Sequence, residues 1–102
     1  MKLMKKVWLI DLLELKRTTQ FKKDLKRIIR RKLPIDLLDD IVLTLRKQKP
    51  LNPKHNDHAL TGNFKDFREC HILPDWLLIY KIEKNNLILT VSRTGSHSDL
   101  FE

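Results

Sequence analysis

The sequence has little cysteine and glycine, and it contains no long apolar run. The single cysteine, Cys70, excludes a disulfide within the chain and is typical of a protein from the reducing cytoplasm. The two glycines, Gly62 and Gly95, cannot form a glycine-rich phosphate-binding loop. No apolar segment approaches the ~20 residues of a membrane-spanning helix. The apolar stretch near the start is broken by Asp11, and no small-residue cleavage site follows, so we expect no signal peptide.

Positive charge is abundant and unevenly distributed. The 102 residues, enough for one domain, carry a net charge of +8. Residues 16–32 contain nine basic residues and one acidic residue, Asp24. Such a block favours a polyanionic partner, although an exposed helix face or an acidic protein partner would also explain it. We predict phosphate contacts from five side chains of this block: Lys22, Lys23, Lys26, Arg27 and Arg30.

The N-terminal half predicts two helices. One apolar stripe with helical spacing consists of Phe21, Leu25, Ile28 and Ile29. Thr18 or Thr19 can cap this helix, and Pro34 ends it. A second stripe consists of Ile35, Leu38, Val42 and Leu45. Because the connection between the two stripes is short, we expect a helical hairpin.

The C-terminal half predicts strands. Residues 50–63 have no periodicity and are interpreted as a loop. The runs 64–73, 76–83 and 87–93 are separated by turns, which predicts an antiparallel meander. Residues 13–17 are a candidate edge strand. The predicted fold class is therefore α+β, with two N-terminal helices packed on a three- to five-stranded antiparallel sheet.

Histidine is the residue type that suggests chemistry. Cleavage of RNA without a metal needs two proton-transfer groups and a cation for the phosphoryl oxygens, and histidine titrates near neutrality. The predicted strands bring His71, Asp75, Arg93 and His97 to one edge of the sheet, and the loop that carries His58 can fold over that edge. This convergence suggests a small ribonuclease.

Each of these residues also has an ordinary structural explanation. Asp75 follows a proline in a turn, where aspartate is common, and Trp76 fits a protein core. His58 could lie exposed in its loop. The spacing of His55 and His58 is similar to that of metal ligands, but a structural zinc site favours cysteines. We predict neither a metal nor another cofactor.

Five motifs occur in order in the C-terminal half. They are DH-x-L-x-G at 57–62, R-[DE]-x-H at 68–71, PDW at 74–76, LIY at 78–80 and R-x-G-[ST]-H at 93–97. Together with the final Leu-Phe pair, this series resembles the YafQ branch of the RelE-type toxins of bacterial toxin–antitoxin pairs. The resemblance covers residues 15–102, and residues 1–14 are interpreted as an N-terminal extension.

The resemblance implies an endoribonuclease, and the single cysteine predicts that it is cytoplasmic. Such a toxin cuts messenger RNA in the decoding site of the ribosome and is blocked by a cognate antitoxin. From the residues themselves we expect cleavage without a metal and no membrane partner. The catalytic residues implied by the matched motifs are His58, His71, Asp75, Arg93 and His97. Trp76 and Phe101 would support the site or stack on RNA.

A second hypothesis is a toxin that binds without cutting. A basic module of the same fold could hold RNA, the ribosome or DNA, and relatives of this general fold include toxins that target DNA gyrase. The two hypotheses differ at the sheet edge, because a protein that only binds does not need three histidines and an aspartate there. Membrane-surface binding through residues 2–8 is a weaker alternative, since the segment is short and lies beside Asp11.

Overall fold

In a computed structural model, residues 12–101 are described, and they form five strands and three helices. In chain order the elements are β1 (Glu14–Arg17), α1 (Thr19–Arg30), α2 (Ile35–Arg46), β2 (His58–Ala59), β3 (Arg68–Leu73), β4 (Trp76–Glu83), β5 (Ile88–Gly95) and α3 (His97–Phe101). Single turns of 3₁₀ helix occur at Pro53–His55 and Gly62–Phe64. Most of the predicted N-terminal extension, residues 1–14, lies outside the described residues.

The strands form one sheet in the order β1-β5-β4-β3-β2. The meander from β2 to β5 is antiparallel, as predicted. β1 pairs with β5 in parallel, so the sheet is mixed and the prediction of an entirely antiparallel sheet was wrong for this strand. Parallel neighbours need a long connection between them, which α1, α2 and the meander supply here. The α+β class with two N-terminal helices is confirmed.

The main core lies between the two long helices and one face of the sheet. Its largest members are Phe21, Ile28, Leu38, Trp76 and Tyr80. On the opposite face, Leu77, Ile79 and Leu100 form a smaller cluster. Residues 76–80 of β4 are therefore buried on both faces, which explains the unbroken apolar run in this strand.

The buried face of helix α1 matches the predicted apolar stripe except that Ile29 is exposed and Asp24 is buried. Phe21 and Ile28 are buried, whereas Ile29 is 55% exposed and was wrongly placed in the stripe. Asp24 is buried on this face instead. A hydrophobic pattern cannot identify such a position, because it depends on the polar partners that the carboxylate finds elsewhere in the fold.

Several boundaries in the C-terminal half differ from prediction. The strand from Trp76 to Glu83 is confirmed, but β3 begins at Arg68 rather than at Phe64, which lies in a 3₁₀ turn. The predicted loop 50–63 contains the two-residue strand β2, and the tail contains α3. Both unforeseen elements are too short to show a periodicity of their own.

Thr18 joins the start of α1 to the end of the sheet. Its hydroxyl accepts a hydrogen bond from the backbone N–H of Phe21 at 3.0 Å and donates one to the carbonyl of Ser92 at 2.8 Å. We expect Thr18→Ala to lower the free energy of unfolding by about 1–2 kcal/mol, as lost helix caps do. Urea denaturation measures this loss. Thr19→Ala, at an exposed neighbouring position, is the matched control, and an equal loss in both variants would contradict the assignment.

Candidate active site

Asp75 and His97 are joined by two hydrogen bonds. The backbone N–H of His97 donates to Oδ1 of Asp75 at 3.0 Å, and Nδ1 of the His97 ring lies 2.8 Å from the same oxygen. These two bonds lower the pKa of Asp75, so it is ionised at neutral pH. Because a carboxylate can only accept, Nδ1 of His97 carries a proton. The exposed ring then has its Nε2 available for chemistry.

Three histidine rings and one phenylalanine ring lie next to one another. The centre of the His71 ring is 5.8 Å from that of His97 and 6.4 Å from that of His58. The Phe101 ring lies 6.5 Å from His97 and is 48% exposed. The structure thus brings together His58, His71, Asp75 and His97 at the sheet edge where the sequence placed them, and Phe101 lies beside His97.

Glu69 is a site residue that the sequence reasoning missed. Its buried carboxylate lies 3.5 Å from Nε2 of His58 and 3.7 Å from Nε2 of His71. The Nδ1 atoms of these rings lie 2.7 Å and 3.2 Å from the carbonyls of Asn56 and Pro74. Each Nδ1 therefore faces a backbone carbonyl, and each Nε2 faces the Glu69 carboxylate. The available signal was an acidic residue two positions before His71, on the same face of a strand.

The loop that carries His58 is anchored at two positions before this histidine. Asp57 accepts hydrogen bonds from the Tyr80 hydroxyl at 2.6 Å and from Arg68 Nε at 3.3 Å. Burial and the Asp57 carboxylate raise the pKa of Tyr80, which keeps its hydroxyl protonated as the donor. Earlier in the loop, His55 donates from Nδ1 to the carbonyl of His71 at 2.7 Å. These contacts hold His58 beside Glu69.

Arg93 is oriented by the buried carboxylate of Asp24. Arg93 Nε and Nη2 donate to Asp24 at 2.7 Å and 3.3 Å, and the Thr94 backbone N–H donates at 3.2 Å. The only acidic residue of the basic block is therefore a support for a predicted catalytic arginine. Within residues 12–101 these bonds leave Nη1 of Arg93 available.

Trp76 supports the core and does not present its ring to an RNA base. It is 2% exposed, and its indole N–H donates to the Thr94 hydroxyl at 2.9 Å. The Thr94 hydroxyl in turn donates to the carbonyl of Leu77 at 2.7 Å. Of the two roles predicted for Trp76, its burial excludes stacking on RNA and leaves support of the strand end. The exposed ring of Phe101 is accessible for stacking.

Asp99 fastens α3 to the end of α1. It accepts two hydrogen bonds from Arg31, at 2.6 Å and 3.0 Å, and lies 3.3 Å from Arg27 Nη1. The Asp99 carboxylate also accepts a hydrogen bond from the backbone N–H of Ser96, and the backbone N–H of Asp99 donates to the Ser96 hydroxyl. A Cβ added at Gly95 would lie 2.9 Å from the Asp99 side chain, so this approach requires glycine. His97 lies between Ser96 and Asp99, so these contacts fix its backbone.

The basic block has an exposed part and an engaged part. Lys22, Lys23, Lys26 and Arg30 are exposed on α1, whereas Arg27 is half-buried and pairs with Asp99. The phosphate contacts predicted for the five residues remain a prediction. The other four members are exposed to solvent.

The described residues also bear on metal binding, membrane insertion and thiol chemistry. Residues 12–101 contain no group of three or more histidine, cysteine, aspartate and glutamate side chains arranged to hold a metal ion. Among the helices of these residues, none has the length and apolar character needed to cross a bilayer. Burial, with Asp57 and Glu69 nearby, raises the pKa of Cys70 to about 12, so its thiol is not a nucleophile at neutral pH.

Comparison with known proteins identifies relatives over most of the chain. A profile of the family described as the YafQ bacterial toxin of type II toxin–antitoxin systems matches residues 13–102. The protein named mRNA interferase toxin YafQ from Escherichia coli K12 is 36% identical over 83 residues, which are 80% of this chain and 88% of the relative. The crystal structure of a metal-bound toxin from Helicobacter pylori has a TM-score of 0.84 at 44% identity, covering 88% of this chain and 100% of the other. The Escherichia coli DinJ–YafQ complex gives a TM-score of 0.80 at 33% identity, with coverages of 89% and 99%.

The Asp99 contacts predict a pH-dependent contribution to stability. The hydrogen bonds from Arg31 hold the pKa of Asp99 well below its ordinary value. This contribution is complete above the unfolded-state value of about 4 and is lost as the pH falls through the lower folded-state value. We expect Asp99→Asn to cost roughly 1–3 kcal/mol at pH 7, as for hydrogen bonds to charged groups, and less at pH 3.

Urea denaturation at the two pH values measures this difference. Asp40→Asn, at an exposed position of α2, is the matched control. A cost for Asp99→Asn that is the same at pH 7 and pH 3 would show that the charge of Asp99 does not stabilise α3.

Proposed function

Because the chain belongs to the YafQ family of bacterial toxins from type II toxin–antitoxin systems, we propose that it is an endoribonuclease that cleaves messenger RNA on the ribosome and stops translation. The observation that carries the proposal is the convergence of His58, His71 and His97, with His97 held through Nδ1 by Asp75. The relative from Escherichia coli K12 that is named an mRNA interferase supports it.

The proposed reaction is an attack within the RNA strand. A base removes the proton of a 2′-hydroxyl, the oxygen attacks the adjacent phosphorus, and an acid protonates the departing 5′-oxygen, which leaves a 2′,3′-cyclic phosphate. His71 and His97, whose ring centres lie 5.8 Å apart, are the proton-transfer pair in this proposal. His97 reacts through Nε2, because Asp75 occupies Nδ1.

Positive charge at the site has separate sources for chemistry and for binding. Arg93, fixed by Asp24, offers Nη1 to the phosphoryl oxygens, whose negative charge grows during the attack. The exposed residues Lys22, Lys23, Lys26 and Arg30 bind the phosphates of RNA or of the ribosome, and Phe101 stacks on a base. The block therefore contributes to affinity more than to the rate of the bound substrate.

A cognate antitoxin completes the proposed system. The Escherichia coli relative YafQ has been crystallised with DinJ as a toxin–antitoxin complex. We propose that this chain binds an antitoxin of its own, and that it works in the cytoplasm, where translating ribosomes provide its substrate. An acidic antitoxin would also complement the basic block, so the affinity for the antitoxin needs to be measured beside that for RNA.

Expression of the chain without its antitoxin is expected to stop translation. His97→Ala removes one proton-transfer group and is expected to slow cleavage by at least ~10²-fold, the lower end of acid–base contributions. Pulse-labelled protein synthesis after induction measures the effect, and mapping of transcript 5′ ends detects the cuts. Ser98→Ala, an exposed neighbour in α3, is the control and is expected to remain toxic. If His97→Ala is as toxic as the wild type and no transcripts are cut, the chain acts as a non-catalytic binder.

Cleavage is expected to be independent of a metal. Acid–base chemistry by histidines needs no metal-bound water, and we predict full activity in excess EDTA with a cyclic or 3′-phosphate product end. Mass spectrometry of the product ends and a single-turnover assay with chelator measure this. Magnesium bound by the ribosome has to be controlled with a preassembled complex. Activity that disappears with EDTA and returns with zinc would overturn the metal-free mechanism, a test that the metal-bound Helicobacter pylori relative makes worthwhile.

A further inference from the structure

A cleft of about 400 Å³ is lined in part by His71, next to the histidine cluster. The turn at Pro53–His55 and the following Asn56 form one wall, and the end of β3 with Pro74 forms the other. The hydrogen bond from His55 to the carbonyl of His71 joins the two walls. The volume lies in the range of ~300–1,000 Å³ that is usual for small-molecule sites.

The two walls of the cleft differ in chemistry. Lys54, His55 and Asn56 supply a cation, a ring nitrogen and an amide, while Leu73 and Pro74 supply an apolar surface. His55 donates from Nδ1 to the carbonyl of His71, and among residues 12–101 its Nε2 remains available to accept. Leu73 is 37% exposed although it is a large apolar residue. A flat apolar group with polar edges beside an anion would satisfy both walls.

The position of the cleft indicates that this flat group is an RNA base. His71 lines the cleft and is also one of the three histidines at which we place the cleaved phosphate. A nucleotide beside that phosphate must therefore lie close to the cleft. Proteins read unstacked RNA bases in this way, by apolar or aromatic contacts to the base face and hydrogen bonds to its edge.

We propose that this cleft binds the nucleotide next to the cleaved bond and reads its base, and so sets the sequence preference of cleavage. Lys54 pairs with a flanking phosphate, Leu73 and Pro74 pack on the base, and His55 and Asn56 bind its edge. The proposal rests on the proposed ribonuclease activity. It deepens that function by assigning the residues that choose where the RNA is cut.

Asn56→Asp is the sharpest variant for testing this base-reading cleft. Asn56 has a positive φ of 44°, which aspartate also tolerates, and its backbone carbonyl still receives His58. The exchange replaces two N–H donors with an acceptor and leaves the shape unchanged. Asn86→Asp makes the same chemical change in the exposed turn between β4 and β5 and is the matched control.

The main measurement is the distribution of cleavage sites in cellular transcripts after induction. We expect Asn56→Asp to change the frequency of one base, at one position flanking the cut, by about two- to tenfold, as for one hydrogen bond. Lys54→Met is expected to reduce cutting at all sites without changing that preference. An unchanged base preference in Asn56→Asp would overturn the proposal, and so would a loss of antitoxin affinity with the preference intact, because the cleft would then belong to the antitoxin.

A second measurement does not depend on cleavage. The four ribonucleoside 5′-monophosphates are titrated into the His97→Ala protein, with inorganic phosphate as the control. We expect the side-chain amide of Asn56 and the ring of His55 to shift in NMR spectra with a different strength for each base, and not with phosphate alone. If wild-type protein cuts no RNA, the proposed function fails. The titration still shows whether the cleft distinguishes one base from another. Equal shifts for all four bases, or none, would overturn the base-reading role.

Discussion

The buried carboxylate of Asp24 is the contact on which the end of β5 depends. A charge removed from water is tolerated only when it is paired and fully hydrogen-bonded. Asp24 meets this requirement with Arg93, with the Thr94 backbone N–H and with Gln20 from its own helix. Because these donors sit on α1 and β5, the carboxylate can remain buried only while the helix and the strand keep their relative position. The burial of Asp24 therefore also fixes the position of Arg93 and of Thr94, whose hydroxyl accepts from Trp76.

In the proposed function, helix α1 serves both substrate binding and site geometry. Its exposed face carries Lys22, Lys23, Lys26 and Arg30, while Asp24 in its middle orients Arg93. The last turn and the residue after it hold α3 through Asp99. A polyanion attracted to α1 thus meets a surface that is rigidly connected to His97. If these charges bind RNA as proposed, the helix that supports the site also provides the binding surface, and a chain of this size needs no separate binding module.

The sequence allowed the main elements to be predicted where the information is local. The apolar run of β4, the Thr18 cap and the convergence of the histidines follow from residue type and spacing, and the resemblance to the YafQ family is confirmed. What could not be predicted depends on contacts between distant residues. The burial of Asp24, the parallel pairing of β1 and the anchoring of the His58 loop by Asp57 join residues from separate elements. Neither hydrophobic periodicity nor turn chemistry encodes such pairs.

The Nδ1 atoms of the three histidines have different partners, so different parts of the fold orient the three rings. His58 and His71 direct Nδ1 to carbonyls of their own turns, and both present Nε2 to Glu69. His97 directs Nδ1 to a carboxylate in another turn, and Asp75 holds its backbone as well. The orientation of His97 therefore requires that the β3–β4 turn and α3 come together, whereas the other two rings are fixed closer to their own strand. A group that meets its acceptor only in the folded chain is preorganised by the fold itself. In the proposed reaction, this preorganisation lowers the reorganisation needed when charge develops on the phosphate.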